Sequence, residues 1–294
     1  MAVVIGVPGN EELAQALATR LGAELVAAEV RQFPDGEIYT RIERALHGEE
    51  VVLVGNLYPS PSERFLTVAF LASTARDRGA RRVGLVAPYL AFMRQDAELL
   101  PGEGVTSKYF ARLVSSSVDW LVTVDPHLHR HASLEGLYTI PTTIVRSAPS
   151  IARWIATEIQ HPYLIGPDAE SAQWVSAVAA DCGAPFLILE KTRRGDRDVS
   201  ITAPPTGAWN GHTPVVIDDI ISTGKTMIEA TRQLRAAGSA APMCVAIHAV
   251  FADAVLDELM SAGAAGIVTC DTIAHASNRI CVVDPLVAAA KSYL

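Results

Sequence analysis

The sequence predicts an α/β protein built on mostly parallel sheet, and three observations carry that reading. Short apolar runs rich in β-branched residues alternate with helical patterns along the whole chain, the signature of strand–helix–strand units. Half of the 294 residues are hydrophobic and only 19% are charged, enough apolar material for a large core. The order of strands and helices in the first half also repeats in the second, which divides the chain into two domains of ordinary size.

In chain order, residues 3–7 read as a first strand, and 11–21 as a helix with leucines at 13, 17 and 21 that stops at Gly22. A strand over 51–55 precedes a helix over 64–78 ended by Gly79. Strands over 82–87 and 120–124 flank a helix near 107–116. A second series opens near Ser147 with a helix to about residue 159, then strand 163–166, helix 170–181 and strand 185–190. Strand 215–217, a helix over 227–234, strand 244–250 and helix 253–262 complete it. The expected domains are 1–146 and 147–294, with the tail from about Ser277 packing back on the first.

The net charge of −8, with no run of Lys or Arg, argues against a nucleic-acid partner, which needs a basic footprint. It leaves small anionic substrates open, since backbone N–H groups and a divalent cation hold phosphates on an acidic protein. No apolar run reaches the ~18 residues of a membrane span. The N-terminus reads as a strand, not a leader, so a soluble cytoplasmic protein with no membrane partner is expected. Cys182, Cys244, Cys270 and Cys281 lack metal-like spacing and read as free thiols.

The most informative stretch is 214–227. The apolar run at 215–217 ends in adjacent carboxylates, Asp218 and Asp219, followed by the small polar loop Ser222, Thr223, Gly224 and then Lys225 and Thr226 as a helix opens. Such a loop turns backbone N–H groups toward a phosphate. The carboxylates would repel that phosphate and suit ribose hydroxyls or a metal ion instead. The Gly-Lys-Thr at 224–226 is not an ATP P-loop, because the required glycine five positions earlier is Asp219.

Other segments carry chemistry with less specificity. Phe33-Pro34-Asp35-Gly36-Glu37 is a strong turn former that also carries two carboxylates and an aromatic. Arg94 and Gln95, beside Asp96 in a Pro- and Gly-punctuated loop, suit a phosphate and a base edge, or simply solvent. The strand over 120–124 leads into Asp125-Pro126-His127-Leu128-His129-Arg130-His131, at the sheet end where open α/β proteins place ligands. Without a further fixed partner the histidines do not make a closed zinc site, and one histidine touching a phosphate-bound Mg²⁺ is the modest reading. Asp168 is a helix N-cap or an anchor for metal-bound water. The charged run 190–198 is a solvated hairpin or a mobile arm that brings Lys191 and Arg193 to a transferring phosphoryl group.

Together, Phe-Pro-Asp-Gly-Glu, Arg-Gln-Asp, Val-Asp-Pro-His, Gly-Pro-Asp, Lys-Thr-Arg and Asp-Asp-Ile-Ile-Ser-Thr-Gly span nearly the whole chain. In this order they resemble the ribose-phosphate pyrophosphokinase (PRPP synthetase) family, most closely its shorter archaeal-like members. The resemblance implies two phosphoribosyltransferase-type domains and transfer of the β,γ-diphosphoryl group of ATP to ribose 5-phosphate, with Mg²⁺. It implies that Asp218 and Asp219 face the ribose hydroxyls and that Ser222, Thr223, Gly224, Lys225 and Thr226 cradle the 5-phosphate. Arg94, Gln95, Asp96 and His127 would hold ATP, His127 and Asp168 would serve the metal, and Lys191 and Arg193 would stabilise the transition state. Phe33, Asp35 and Glu37 would bind adenine from a neighbouring subunit, which makes a homo-oligomer part of the expectation. Lys225 and the glycine-poor Ala169–Ser171 segment depart from the family pattern. A salvage phosphoribosyltransferase and a non-catalytic regulatory homologue are the alternatives.

Overall fold

The computed structural model describes residues 2–128, 130, 133–189, 209 and 211–294, and the backbone of 191–194 and 198–201. The chain divides into one unit of residues 1–146 with 283–294, and a second of 147–282.

The first unit runs β1 (Ala2–Gly6), α1 (Glu11–Leu21), β2 (Glu24–Leu25), β3 (Glu29–Gln32), β4 (Ile38–Arg41), β5 (Glu50–Val54), α2 (Pro61–Asp77), β6 (Arg82–Val86), α3 (Thr106–Ser117), β7 (Trp120–Val124) and β8 (Thr142–Val145). Its sheet has the order β2-β1-β5-β6-β7-β8, every neighbouring pair parallel, while β3 and β4 form a separate antiparallel ribbon. β5 and β7 are buried at every position, which explains the apolar runs at 51–54 and 120–122, with Glu50 and Thr123 as their buried polar members. Pro61 opens α2, where the missing N–H costs nothing.

The second unit runs α4 (Ala148–Glu158), β9 (Pro162–Gly166), a 3₁₀ turn (Ala169–Ser171), α5 (Ala172–Cys182), β10 (Phe186–Ile188), β11 (Lys191–Arg194), β12 (Asp198–Ile201), β13 (Thr213–Ile221), α6 (Lys225–Ala236), β14 (Met243–Ala249), α7 (Ala254–Ser261), β15 (Gly266–Cys270) and β16 (Asn278–Ile280). Its parallel sheet has the order β10-β9-β13-β14-β15-β16, with β11 and β12 as an antiparallel ribbon. The two units therefore share one plan, including a ribbon inserted between the edge strand and the third strand of the sheet.

The helix that follows each sheet's last strand belongs to the other unit. α4 follows β8 but packs on α5, whereas α8 (Val283–Lys291) follows β16 but packs on α1. The chain leaves the second unit at Val283, later than the expected Ser277, because Asn278–Ile280 is still paired with β15. Beyond α8, Tyr293 stacks on Trp120 (centroids 4.7 Å apart, planes 6° apart), and the Tyr293 hydroxyl lies 2.7 Å from Thr143 Oγ1. Trp120 itself fits only because residue 84 is glycine: a Cβ there would fall 1.8 Å from the indole. Among the described residues no helix is long and apolar enough to cross a membrane.

Candidate functional site

In the second sheet the strand order reverses between β9 and β13, so the loops leaving those two strands face one crevice. β13 carries Asp218 and Asp219 near its end, and α6 begins six residues after Asp219. The Asp219 N–H donates to Asp218 Oδ1 at 3.0 Å, and the Asp219 side chain is buried. Ser222 to Thr226, with Asp218, Ile220, Ile221 and Met227, line a concavity of about 40 Å³. Gly224 caps α6 with φ +70°, and a Cβ there would lie 2.5 Å from Val255 Cγ1, so the turn requires glycine on both counts. Thr223 and Lys225 are exposed at this mouth.

From β9, Asp168 realises the N-cap: its Oδ1 accepts from the N–H groups of Glu170 (3.1 Å) and Ser171 (3.3 Å). That does not exhaust the residue, because its charge is felt at Asp218. Burial pushes the Asp218 carboxyl well above the usual carboxylate range, and the neighbouring charges of Asp219 and then Asp168 add to the rise. Three carboxylates thus converge where a ligand with hydroxyls or a cation would relieve them. Among the described residues no group of three His, Cys, Asp or Glu forms a ready-made metal cage. Lys191 and Arg193 lie on β11, opposite Ile201 and Val199 of β12; their side chains lie outside the described residues.

In the first unit the loops after β6 and β7 are neighbours because those strands pair. Phe92 takes a left-handed φ of +61°, rare for an aromatic, and its ring packs 4.8 Å from Phe110, while Met93 is buried. With those two residues anchored, Arg94 and Gln95 stand exposed. Asp96 does not stand with them. Its side chain is only 3% exposed and its Oδ1 accepts from Arg130 Nη1 at 2.5 Å, so it holds an arginine of the next loop. Its Oδ2 is buried without a hydrogen-bond partner among the described residues.

His127 is half-buried on the same loop, and His129 and His131 lie outside the described residues. Asp125, at the end of β7, has φ +29°, and its Oδ1 accepts from Arg146 at 3.1 Å. Arg130 and Arg146 thus present half-exposed guanidinium groups, each fixed by a buried carboxylate. Sequence reasoning passed over both arginines; the only signal was Arg130 in the His-rich run.

Phe33 to Glu37 form the turn of the β3–β4 ribbon. Phe33 N–H donates to Glu37 O at 2.8 Å, and Glu37 N–H donates to Asp35 Oδ1 at 3.1 Å. Phe33 is 41% exposed, with its ring edge-on to Tyr39, and the Arg31 guanidinium sits 4.0 Å over the Tyr39 ring centroid. The ribbon thus presents an exposed aromatic ring set edge-on to a second, with the Arg31 cation against both.

A parallel α/β unit with an acid pair and a glycine-capped, hydroxyl-lined turn at its switch point, preceded by a unit of the same plan, defines a duplicated phosphoribosyltransferase-type protein. Residues 2–117 match the N-terminal domain of ribose phosphate pyrophosphokinase, and residues 141–288 match the phosphoribosyl transferase domain. The ribose-phosphate pyrophosphokinase of Methanopyrus kandleri is 32% identical over 292 residues, covering 99% of each chain. That of Sulfurisphaera tokodaii is 29% identical over 284 residues, covering 96% of this chain and 97% of its own. The crystal structure of phosphoribosylpyrophosphate synthetase from Mycobacterium smegmatis shares the fold, with a TM-score of 0.87 over 99% of this chain at 21% identity. The chain belongs to the ribose-phosphate pyrophosphokinase family.

Proposed function

We propose that the protein is a ribose-phosphate diphosphokinase, which converts ATP and ribose 5-phosphate into PRPP and AMP and works in the cytoplasm. The observation that carries this is the acid pair Asp218–Asp219 leading into the Gly224-capped cradle, in a chain that matches the family over almost its full length. The 5-phosphate rests on Ser222 to Thr226, and the two carboxylates accept hydrogen bonds from the ribose hydroxyls. The 1-hydroxyl oxygen attacks the β-phosphorus of ATP in line. The new P–O bond forms as the bond to the α-phosphate oxygen breaks, AMP departs with that oxygen, and the hydroxyl proton passes to solvent. The protein does no covalent chemistry, so positioning and charge stabilisation supply the barrier lowering. Lys191 and Arg193 supply fixed positive charge to the transferring group.

Arg94, Gln95 and His127 hold the nucleotide. Arg130 adds a cation to that mouth, with Asp96 as its positioning residue rather than a nucleotide contact, because the Asp96 carboxylate is buried behind it. Phe33, Asp35 and Glu37 recognise adenine from a neighbouring subunit, a role suited to the exposed aromatic tip of a ribbon; the protein is then at least a dimer.

The residues fit Mg²⁺. Asp168 and the acid pair are hard oxygen donors, and burial, followed by the neighbouring charges of Asp219 and Asp168, raises the Asp218 carboxyl, so a cation beside them would relieve the site. When bound, Mg²⁺ would supply charge neutralisation on the phosphates; His127 would contact the ion carried by ATP, and Asp168 would serve a second ion through water.

The test uses ATP labelled at the β-phosphorus. The label appears in the diphosphate of PRPP under this reading, whereas label released as free phosphate or diphosphate contradicts it.

A further inference from the structure

The turn from Ser222 to Thr226 is not shaped by its own strand and helix alone. Segment 250–255, which leaves β14 and opens α7, closes against both of its ends. At one end the Val250 N–H donates to Ile221 O at 3.1 Å, one residue before Ser222. At the other, Val255 Cγ1 is the atom that a Cβ on Gly224 would meet at 2.5 Å. Between these contacts Phe251 is buried in the core that also holds Met227 and Ile228 of α6. The placing of this segment therefore bears directly on the shape of the turn.

His275, on the loop that follows β15, grips the segment. Its ring meets the Phe251 ring with centroids 4.6 Å apart and planes at 61°. Its Nδ1 accepts from the Ser277 N–H at 3.1 Å and lies 2.7 Å from Ser277 Oγ. Ser277 Oγ lies 2.8 Å from Thr269 Oγ1, which in turn accepts from Asn278 Nδ2 at 2.8 Å. Asn278 Nδ2 can only donate, so the hydroxyl protons run from Thr269 to Ser277 and from Ser277 to His275. With Nδ1 an acceptor, the ring carries its proton on Nε2. That atom is buried without a hydrogen-bond partner among the described residues, and it faces Asp253 Oδ1 at 3.6 Å. Asp253 is the residue before α7; its side chain makes no cap bond to the helix and is 92% exposed.

Packing alone would not call for this arrangement. A phenylalanine could fill the slot beside Phe251 without burying a chain of polar side chains, which is costly unless each member is satisfied. The chain fixes the orientation of the ring, so that its one remaining N–H looks toward segment 250–255. We propose that His275 is a positioning residue for the ribose 5-phosphate site. Through Phe251 and Asp253 it holds segment 250–255, and with it both ends of the Ser222–Thr226 turn, in the shape that accepts the 5-phosphate. The ligand in this proposal rests on the synthetase reading; the coupling of His275 to the turn belongs to the chain itself.

The test compares the full-length wild type with His275→Phe, which keeps the ring but not its nitrogens, and with Asp253→Asn, which alters only an exposed group. Amide hydrogen exchange is read by mass spectrometry without ligand, and steady-state kinetics are measured beside it. His275→Phe is expected to speed exchange at least about fivefold over 221–226 and 250–255, and to leave β9 and α5 unchanged. Its KM for ribose 5-phosphate is expected to rise about 5–20-fold, with KM for ATP within about twofold of wild type. Asp253→Asn is expected to melt like wild type, since an exposed pair adds little stability, yet to raise exchange over the same residues and the same KM about two- to fivefold. If both variants keep exchange at 221–226 and KM for ribose 5-phosphate within about 1.5-fold of wild type, the proposal is overturned. Exchange that rises equally in β9 and α5 also overturns it, because His275 is then a general stabiliser. Should His275→Phe fail to fold, unchanged exchange and KM in Asp253→Asn alone overturn it. A wild type that makes no PRPP contradicts the synthetase reading separately, and the exchange comparison then decides the coupling.

Discussion

Asp218→Asn separates what the acid pair does for function from what it does to stability. The asparagine keeps the volume and still accepts the Asp219 N–H through its oxygen, so packing is preserved and one negative charge is removed. Like charges within the ~4–6 Å over which carboxylates feel one another repel by about 3–4 kcal/mol at an effective dielectric of about 20. Asp218 is half-buried rather than sealed, so water screens part of this, leaving a gain of about 1–2 kcal/mol, typical for neutralising a functional residue.

The pH dependence has a definite sign. The folded-state carboxyl titrates above its unfolded value, so below the unfolded pKa of about 3.9 both states are protonated and the wild type bears no penalty. As pH rises through the window between the unfolded and the raised folded value, the wild type loses stability that the variant keeps. Calorimetric melts of apo wild type and variant, without Mg²⁺ or substrate, test this at pH 4.5 and pH 8. The second unit's transition in Asp218→Asn is expected to lie about 2–6 °C above wild type at pH 8, with a smaller difference at pH 4.5, while synthesis of PRPP falls at least ~100-fold. A variant that melts below wild type at pH 8, or whose gain does not change with pH, refutes the reasoning.

Other perturbations probe the remaining parts. Lys191→Ala is expected to lower kcat by ~10²–10³ with a smaller effect on KM, and an unchanged kcat in steady-state assays removes Lys191 from the mechanism. Arg130→Gln and Asp96→Asn are both expected to raise KM for ATP about 5–50-fold with little change in KM for ribose 5-phosphate, and the double variant to be no worse than Arg130→Gln alone; additive losses contradict a positioning role for Asp96. Gly224→Ala is expected to abolish ribose 5-phosphate binding by calorimetry, since its Cβ would collide with Val255, and retained affinity contradicts the cradle geometry. Tyr293→Ala removes the stack on Trp120 and is expected to cost the first unit about 1–3 kcal/mol in denaturant melts; a neutral change means that the C-terminal segment is not an anchor.

Much of this was legible in the sequence wherever one local signal sufficed. The fully buried strands β5 and β7 are built on short apolar runs at 51–54 and 120–122, and α1 announces itself by its leucine spacing and Gly22. The strand end at Asp218 and Asp219, the turn at Gly224 and the helix that follows are local too, and the structure has each where the sequence places it. Contacts between distant segments were not legible. Asp96 sits in the same tripeptide as Arg94 and Gln95 and was assigned with them, yet its partner is Arg130, 34 residues away. β8 and β16 are short strands completed only by their neighbours. The exchange of α4 and α8 between the units is invisible to periodicity, which reports that a face is apolar but not which sheet covers it.

The central claim is tested most directly by incubating the purified protein with ATP, ribose 5-phosphate and Mg²⁺ and following AMP and PRPP by chromatography. The account requires equimolar AMP and PRPP, formed only when ribose 5-phosphate is present. The absence of both products, or consumption of added PRPP with a nucleobase in their place, contradicts it.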